Sequence, residues 1–256
     1  MKKRLISLLL ALGLLLALLP AAVSAEGTAE NVVNYGFQIG GTPITSENIS
    51  SFTGVTYDPD TKTLTLNNVT ITTDAQVAIF CGEAVTAIRL IGTNKIDLTS
   101  VKSLDVYGIY SDGALTISGD SRSDSLTLTI PRVEQTTSTP VYQRGIWTKG
   151  SLQVRSCTLD VLCAGFTGNG YSTAIYVGTD RVNSAITIDD CAITAVVGKN
   201  RQGETQNTHV HAALFAAGAL TVTNSEITAG CYTNADRAGI ATLNGESITL
   251  TNCRLA

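Results

Sequence analysis

The sequence predicts an all-β fold: a single-stranded right-handed parallel β-helix, a solenoid with an N-terminal capping segment. Three observations predict it. Apolar residues sit at every second position in short runs, which is the period of a strand and not of a helix. A phrase made of two such runs and a turn residue recurs along most of the chain. The turn residues fall in one column, as a solenoid that bends at the same place in each coil requires.

The elements follow in order. Met1-Lys2-Lys3-Arg4 is basic, Leu5 to Leu19 is almost wholly apolar, and Ala21-Ala22-Val23-Ser24-Ala25 offers small residues at its end. Residues 1–25 therefore read as a secretory signal peptide cut after Ala25. The apolar run is about 15 residues, short of the roughly 20 that span a bilayer, and no Cys follows it to carry a lipid. The expectation is a protein secreted or held at the cell surface, with no membrane insertion after cleavage. Residues 26–54 read as a leader and cap, and 55–256 as the β-helix. The chain stops at Ala256 within a repeat, with no polar segment to cover open strand edges. That reads as truncation of a longer polypeptide, in which sequence beyond Ala256 would supply any cell-wall attachment.

The repeated phrase appears as Leu64-Thr-Leu-Asn-Asn-Val-Thr-Ile71, Leu115-Thr-Ile-Ser-Gly119, Leu152-Gln-Val-Arg-Ser-Cys-Thr-Leu159, Ile186-Thr-Ile-Asp-Asp-Cys-Ala-Ile193, Leu220-Thr-Val-Thr-Asn-Ser-Glu-Ile227 and Ile248-Thr-Leu-Thr-Asn-Cys-Arg-Leu255. Ile88-Arg-Leu-Ile-Gly92 is a looser copy with one extra residue. A second phrase precedes each copy, with Ile79, Ile109, Ile146, Ile175, Leu214 and Ile240 at its core position. No unit can bury its own apolar face, so neighbours stack. The turn column is Asn68, Gly92, Gly119, Ser156, Asp190, Asn224 and Asn252. All but Ser156 are types that tolerate left-handed backbone angles.

In the segment Val55-Thr-Tyr-Asp-Pro-Asp-Thr-Lys-Thr-Leu-Thr-Leu66 and the pattern Gly108-Ile-Tyr-Ser-Asp-Gly-Ala-Leu-Thr-Ile117, the chain resembles the pectin-lyase-like right-handed β-helices. Within them it is most similar to secreted clostridial β-helix proteins described as carbohydrate-binding. The resemblance spans roughly residues 34–256. It implies export and, for at least some members, binding of acidic or plant-wall polysaccharide with calcium. No family catalytic or calcium-binding residue maps onto this sequence position by position.

Composition excludes some partners. Removing Lys2, Lys3 and Arg4 leaves 14 basic against 21 acidic side chains, a balance of −7, which argues against nucleic acid. Of the six cysteines, Cys157, Cys191 and Cys253 share one inward column with Ser225, and Cys163 and Cys231 share another with Val197. The leading expectation is buried thiols packing as small hydrophobes. Cys157 and Cys191 are the pair close enough for a disulfide, and no Cys-x-x-Cys spacing suggests a metal or redox site. His209 and His211 share a loop but lack a third ligand. Asp58 with Asp60, Asp120 with Asp124, and Asp189 with Asp190 are carboxylate pairs in turns; calcium is a candidate ligand, and a glycosidase pair is the more remote reading. A Thr column through Thr65, Thr116, Thr187, Thr221 and Thr249, interrupted by Arg89 and Gln153, reads as outward strand surface, with ice binding the remote alternative.

The position after the second phrase's core residue holds Phe80, Tyr110, Trp147, Tyr176 and Phe215, ending at Ala241. At about 4.8 Å per coil these five make a stripe roughly 19 Å long, pointing outward if the preceding residues point inward. Mutual stacking explains such a column structurally; sugar recognition explains it functionally, because aromatic rings suit the apolar faces of sugars. The loops 130–144, 163–173, 197–211 and 230–238 enter from one side, with Arg144, Lys199, Arg201 and Arg237 as candidate anion contacts. The expectation is a non-catalytic protein that binds an extracellular polysaccharide, of acidic plant-wall type if calcium or the arginines assist, and that requires no cofactor. The alternatives are an adhesin or surface-display stalk and a polysaccharide lyase or hydrolase, for which Arg89, Arg155 and Asp189 would have to share one solvent face around a bound calcium. No catalytic residue is assigned.

Overall fold

The computed structural model describes residues 32–256 except 100–104, 134–140, 167–169, 180–182, 199–208, 211, 233–237 and 244–245; the proposed signal peptide, 1–25, and residues 26–31 of the proposed leader and cap lie outside the described residues. The chain is a right-handed parallel β-solenoid built from three sheets. Sheet A carries Val77–Gly82, Val106–Ser111, Val141–Thr148, Gly170–Val177, Ala212–Ala216 and Ala238–Thr242. Sheet B carries Thr63–Asn67, Ala87–Ile91, Leu115–Ser118, Leu152–Arg155, Ile186–Asp189, Leu220–Thr223 and Ile248–Thr251. Sheet C carries Thr70–Thr73, Thr93–Leu98, Ser125–Ile130, Thr158–Cys163, Ala192–Val197, Glu226–Cys231 and Arg254–Leu255. Sheets B and C are the two halves of the first repeated phrase, and sheet A is the second.

Alternation produces the core. Ile79, Ile109, Ile146, Ile175 and Leu214 are completely buried, as are their counterparts Leu64, Ile88, Ile117, Val154, Ile188 and Val222 on sheet B. Each contributes roughly 1.5–3 kcal/mol by leaving water. Polar side chains inside are satisfied: buried Asn94 accepts the Val69 N–H at 3.0 Å and donates to the Ser125 carbonyl at 3.2 Å. The N-terminal end is closed by an antiparallel hairpin, Asn34–Ile39 with Thr42–Thr45, laid against Val77–Gly82. Val55–Asp58 also runs antiparallel, to Thr63–Asn67, so parallel winding begins at Thr63. Phe37 packs on Tyr57 at 4.8 Å between ring centroids, and the Tyr57 hydroxyl donates to the Ala84 carbonyl at 2.7 Å.

The bend column has φ between 47° and 65° at Asn68, Gly92, Ser156, Asp190, Asn224 and Asn252. Gly119 is the member that does not adopt it. Its turn is lengthened by Asp120–Asp124, and the Asp124 carboxylate accepts the N–H groups of Gly92 at 2.7 Å, Asp120 at 2.8 Å and Ser121 at 3.3 Å. Ser156, the residue least suited by type, takes φ 47° because the coils on both sides impose the bend. Ser156→Gly is therefore expected to raise stability by about 0.5–1 kcal/mol, read as a higher urea midpoint.

Asp124 also makes a pH prediction. Its pKa lies below the usual carboxylate value because the Gly92 and Asp120 N–H groups bond to the charged form. A depressed folded-state pKa gives stability that is full above the unfolded pKa, about 4, and is lost as pH falls through the folded value. Asp124→Ala is expected to cost about 1–2 kcal/mol at pH 7. Its deficit relative to wild type should shrink below pH 4 in urea melts across pH 2–7.

One sequence expectation is corrected on sheet B. Thr116 pairs with Ala87 and Gln153, whereas Thr65 pairs with Arg89 and Arg89 with Ser118. Thr65 and Arg89 thus belong to the neighbouring column, because the extra residue in the Ile88–Gly92 copy shifts its alignment by one pleat pair. The Thr column itself runs Thr63, Ala87, Thr116, Gln153, Thr187, Thr221, Thr249.

Candidate functional site

The aromatic column is in register on sheet A: Phe80 with Tyr110, Tyr110 with Trp147, Trp147 with Tyr176, Tyr176 with Phe215, and Phe215 with Ala241. Strand spacing brings these rings together, and their geometry decides what they present. Tyr110 and Trp147 stack at 4.5 Å with planes 12° apart, and Tyr176 and Phe215 at 4.8 Å and 18°. Phe80 tilts against Tyr110 at 5.4 Å. The stacked faces look along the solenoid axis at one another, so what reaches solvent is largely ring edge. Four of the five rings are half-buried, and Tyr176 is buried.

Arg144 joins the two stacks. Its guanidinium carbon lies 4.3 Å from the Trp147 ring centroid, 4.0 Å from Tyr176 and 4.8 Å from Tyr142. The sequence placed Arg144 at a loop end as an anion contact, but it lies within the strand Val141–Thr148 and is enclosed by rings. Among the described residues no carboxylate forms an ion pair or hydrogen bond with it. Burial lowers its pKa, and Tyr176, Tyr107, Tyr142 and Asp105 counteract that; a guanidinium nonetheless stays charged. Contacts of a desolvated guanidinium with aromatic faces are worth about 2 kcal/mol.

Three further aromatics belong to this face. Tyr107 lies 5.1 Å from Trp147 and 5.6 Å from Tyr110, and Tyr142 stacks on Tyr171 at 5.7 Å. Simple alternation puts Tyr107, three residues before Tyr110, on the opposite face of the sheet. The corner at Gly108, and at Gly145 in the next coil, resets the alternation, so positions three apart face the same way. The signal available in the sequence was the recurring small residue before each core Ile or Leu: Ala78, Gly108, Gly145, Ala174, Ala213 and Gly239.

Charges flank the rings. The Tyr110 hydroxyl donates to Asp112 at 2.8 Å, and Lys149 donates to the same oxygen at 2.5 Å while lying 5.4 Å from the Tyr110 centroid. Burial favours protonated Asp112, but Lys149 and Tyr110 outweigh it and hold the pKa below normal; the bond to Asp112 holds Lys149 above its ordinary value. Asp105 accepts the Tyr142 N–H at 2.9 Å. Burial, with the Asp105 charge adding, pushes the Tyr107 phenol up to about 12. Among the described residues Arg144 therefore has no carboxylate in an ion pair or hydrogen bond, whereas Lys149 has Asp112.

Lys199, Arg201, Arg237 and His211 lie outside the described residues. His209 pairs in register with Tyr171. The carboxylates considered for calcium have internal donors: Asp58 accepts the Thr61 hydroxyl at 2.7 Å, Asp120 binds Arg89 at 2.9 Å, and Asp190 binds Arg122 at 3.1 Å. Among the described residues no three His, Cys, Asp or Glu side chains group as a metal site. Arg89, Arg155 and Asp189 do share a column of sheet B through Ser118. Arg89 is occupied by Asp120, however, and Asp189 accepts the Asn224 side-chain amide at 3.4 Å. Among the described residues no helix is long and apolar enough to cross a membrane.

Comparison with protein-family models, with curated proteins and with solved structures finds no match.

Proposed function

We propose that this is an exported, non-catalytic carbohydrate-binding β-helix that recognises an extracellular polysaccharide on the outer face of sheet A. The observation that carries the reading is the guanidinium of Arg144, held among Tyr142, Trp147 and Tyr176 with no carboxylate bonded to it among the described residues. Around it stand ring edges, one column ring per coil from Phe80 to Phe215, and the tyrosine hydroxyls of the three central coils. A linear polymer laid along the solenoid axis meets equivalent groups at about 4.8 Å steps. Sugar C–H groups pack on the apolar edges while hydroxyls bond to the polar tips. The guanidinium suits a carboxylate on the polymer and offsets locally the acidic balance of the chain.

Calorimetric titration with galacturonan and neutral glucan fragments, each with calcium and with chelator, tests this. Saturable binding of either glycan supports it, and a calcium requirement would make the ion part of the ligand. A folded domain that binds neither glycan overturns the reading and turns attention to the adhesin or stalk. Chain shortening or unsaturated products in the same mixtures would favour the lyase or hydrolase, whose argument is the shared column of Arg89, Arg155 and Asp189 on sheet B.

A further inference from the structure

All six cysteines are thiols in the structure, and the solenoid register sorts them sharply. Thr158 pairs with Ala192 in the parallel ladder, and the Ala192 N–H donates to the Cys157 carbonyl at 3.1 Å. Cys157 and Cys191 therefore occupy the same corner, between sheets B and C, in adjacent coils. One strand spacing, about 4.8 Å, lies inside the roughly 4.4–6.8 Å Cα range of disulfides. Both residues are completely buried, and the Cys191 thiol donates to the Asp189 carbonyl at 3.1 Å.

No other pair has this relation. Val197 stands between Cys163 and Cys231, and Ser225 between Cys191 and Cys253. Each of those pairs is two coils apart, about 9.6 Å, beyond disulfide reach. Cys81 lies on the first sheet A strand of the parallel winding, two coils before Cys157.

We propose that Cys157 and Cys191 form a disulfide bond when the chain folds in the presence of a small oxidised thiol such as glutathione disulfide. The Cys191 thiolate attacks one sulfur of the reagent, whose S–S bond breaks and releases one thiolate. The Cys157 thiolate then attacks the Cys191 sulfur of the mixed disulfide and expels the second. The two protein thiol protons end on the two released small thiols, so two protein thiols are oxidised as one reagent disulfide is reduced. Exchange belongs to the folding chain, because the finished coil excludes the reagent from both sulfurs. The bond ties two neighbouring coils together at a corner where no ladder strand runs.

The test is to refold the protein in mixed oxidised and reduced glutathione, then to count thiols under denaturing conditions and map cross-linked peptides. The expected result is four free thiols out of six, one linked peptide joining Cys157 to Cys191, and a higher Tm than for the reduced protein. Cys157→Ser should keep all five of its thiols; Ser225 already occupies this column, so the variant is expected to fold. Six thiols in natively folded wild type, or a link between any other pair, would overturn the proposal.

Discussion

Gly145→Val should lower the urea midpoint by the equivalent of about 3 kcal/mol or more, a fall in Tm of roughly 10 °C for a domain of this size. A Cβ at Gly145 would lie 2.2 Å from Val161 Cγ1 and 2.5 Å from the Ala174 carbonyl oxygen. One neighbour is a side chain that can turn; the other is backbone of the next coil and cannot move without breaking the ladder between Val141–Thr148 and Gly170–Val177. Gly108 is similarly confined, with Leu128 Cδ1 at 2.4 Å. One coil on, the small position is Ala174, and the position of Val161 becomes Ala195. The interior thus matches size at this corner from coil to coil. Gly145→Ala should cost less than Gly145→Val, and adding Val161→Ala should recover part of the loss, leaving the share due to the Ala174 carbonyl. Full recovery would show that the backbone contact is harmless.

Arg144→Ala is expected to weaken glycan binding at least tenfold, with a stability loss of about 1–2 kcal/mol. Removing the guanidinium opens a gap between the Tyr110–Trp147 and Tyr176–Phe215 stacks and deletes the unpaired positive charge that the proposed site offers a ligand. Arg144→Lys keeps the charge but not the plane that lies over the rings. It should therefore hold more binding than Ala to an anionic glycan and no more than Ala to a neutral one. Titration of wild type and both variants against galacturonan and glucan, with thermal melts, separates the two contributions. Unchanged affinity in a folded Arg144→Ala protein would show that the ring face is a structural ladder and that the glycan, if bound, sits elsewhere. Trp147 fluorescence reports on the same site, since the guanidinium lies 4.3 Å from its ring.

Much of this molecule was legible in the residues themselves. A two-residue period, a recurring phrase and a column of turn residues are local in sequence, and each has one backbone consequence. They sufficed for the parallel solenoid, the sheet in which each phrase lies and the register of Phe80, Tyr110, Trp147, Tyr176 and Phe215. The cysteine columns were readable for the same reason, because stacking makes sequence position in a repeat equivalent to height along the axis. What required the tertiary structure was everything set by a corner or by ring orientation. Period-two counting fails at Gly108 and Gly145, so Tyr107 could not be assigned to the outer face beside Tyr110, and Arg144 was read as a loop contact and not as a strand residue packed on Trp147. The extra residue near Arg89 moved Thr65 and Arg89 by a column, which only the hydrogen-bond ladder resolves. Whether a ring offers its face or its edge depends on its neighbours one strand away, and contacts across coils, unlike alternation along a strand, leave no period in the sequence.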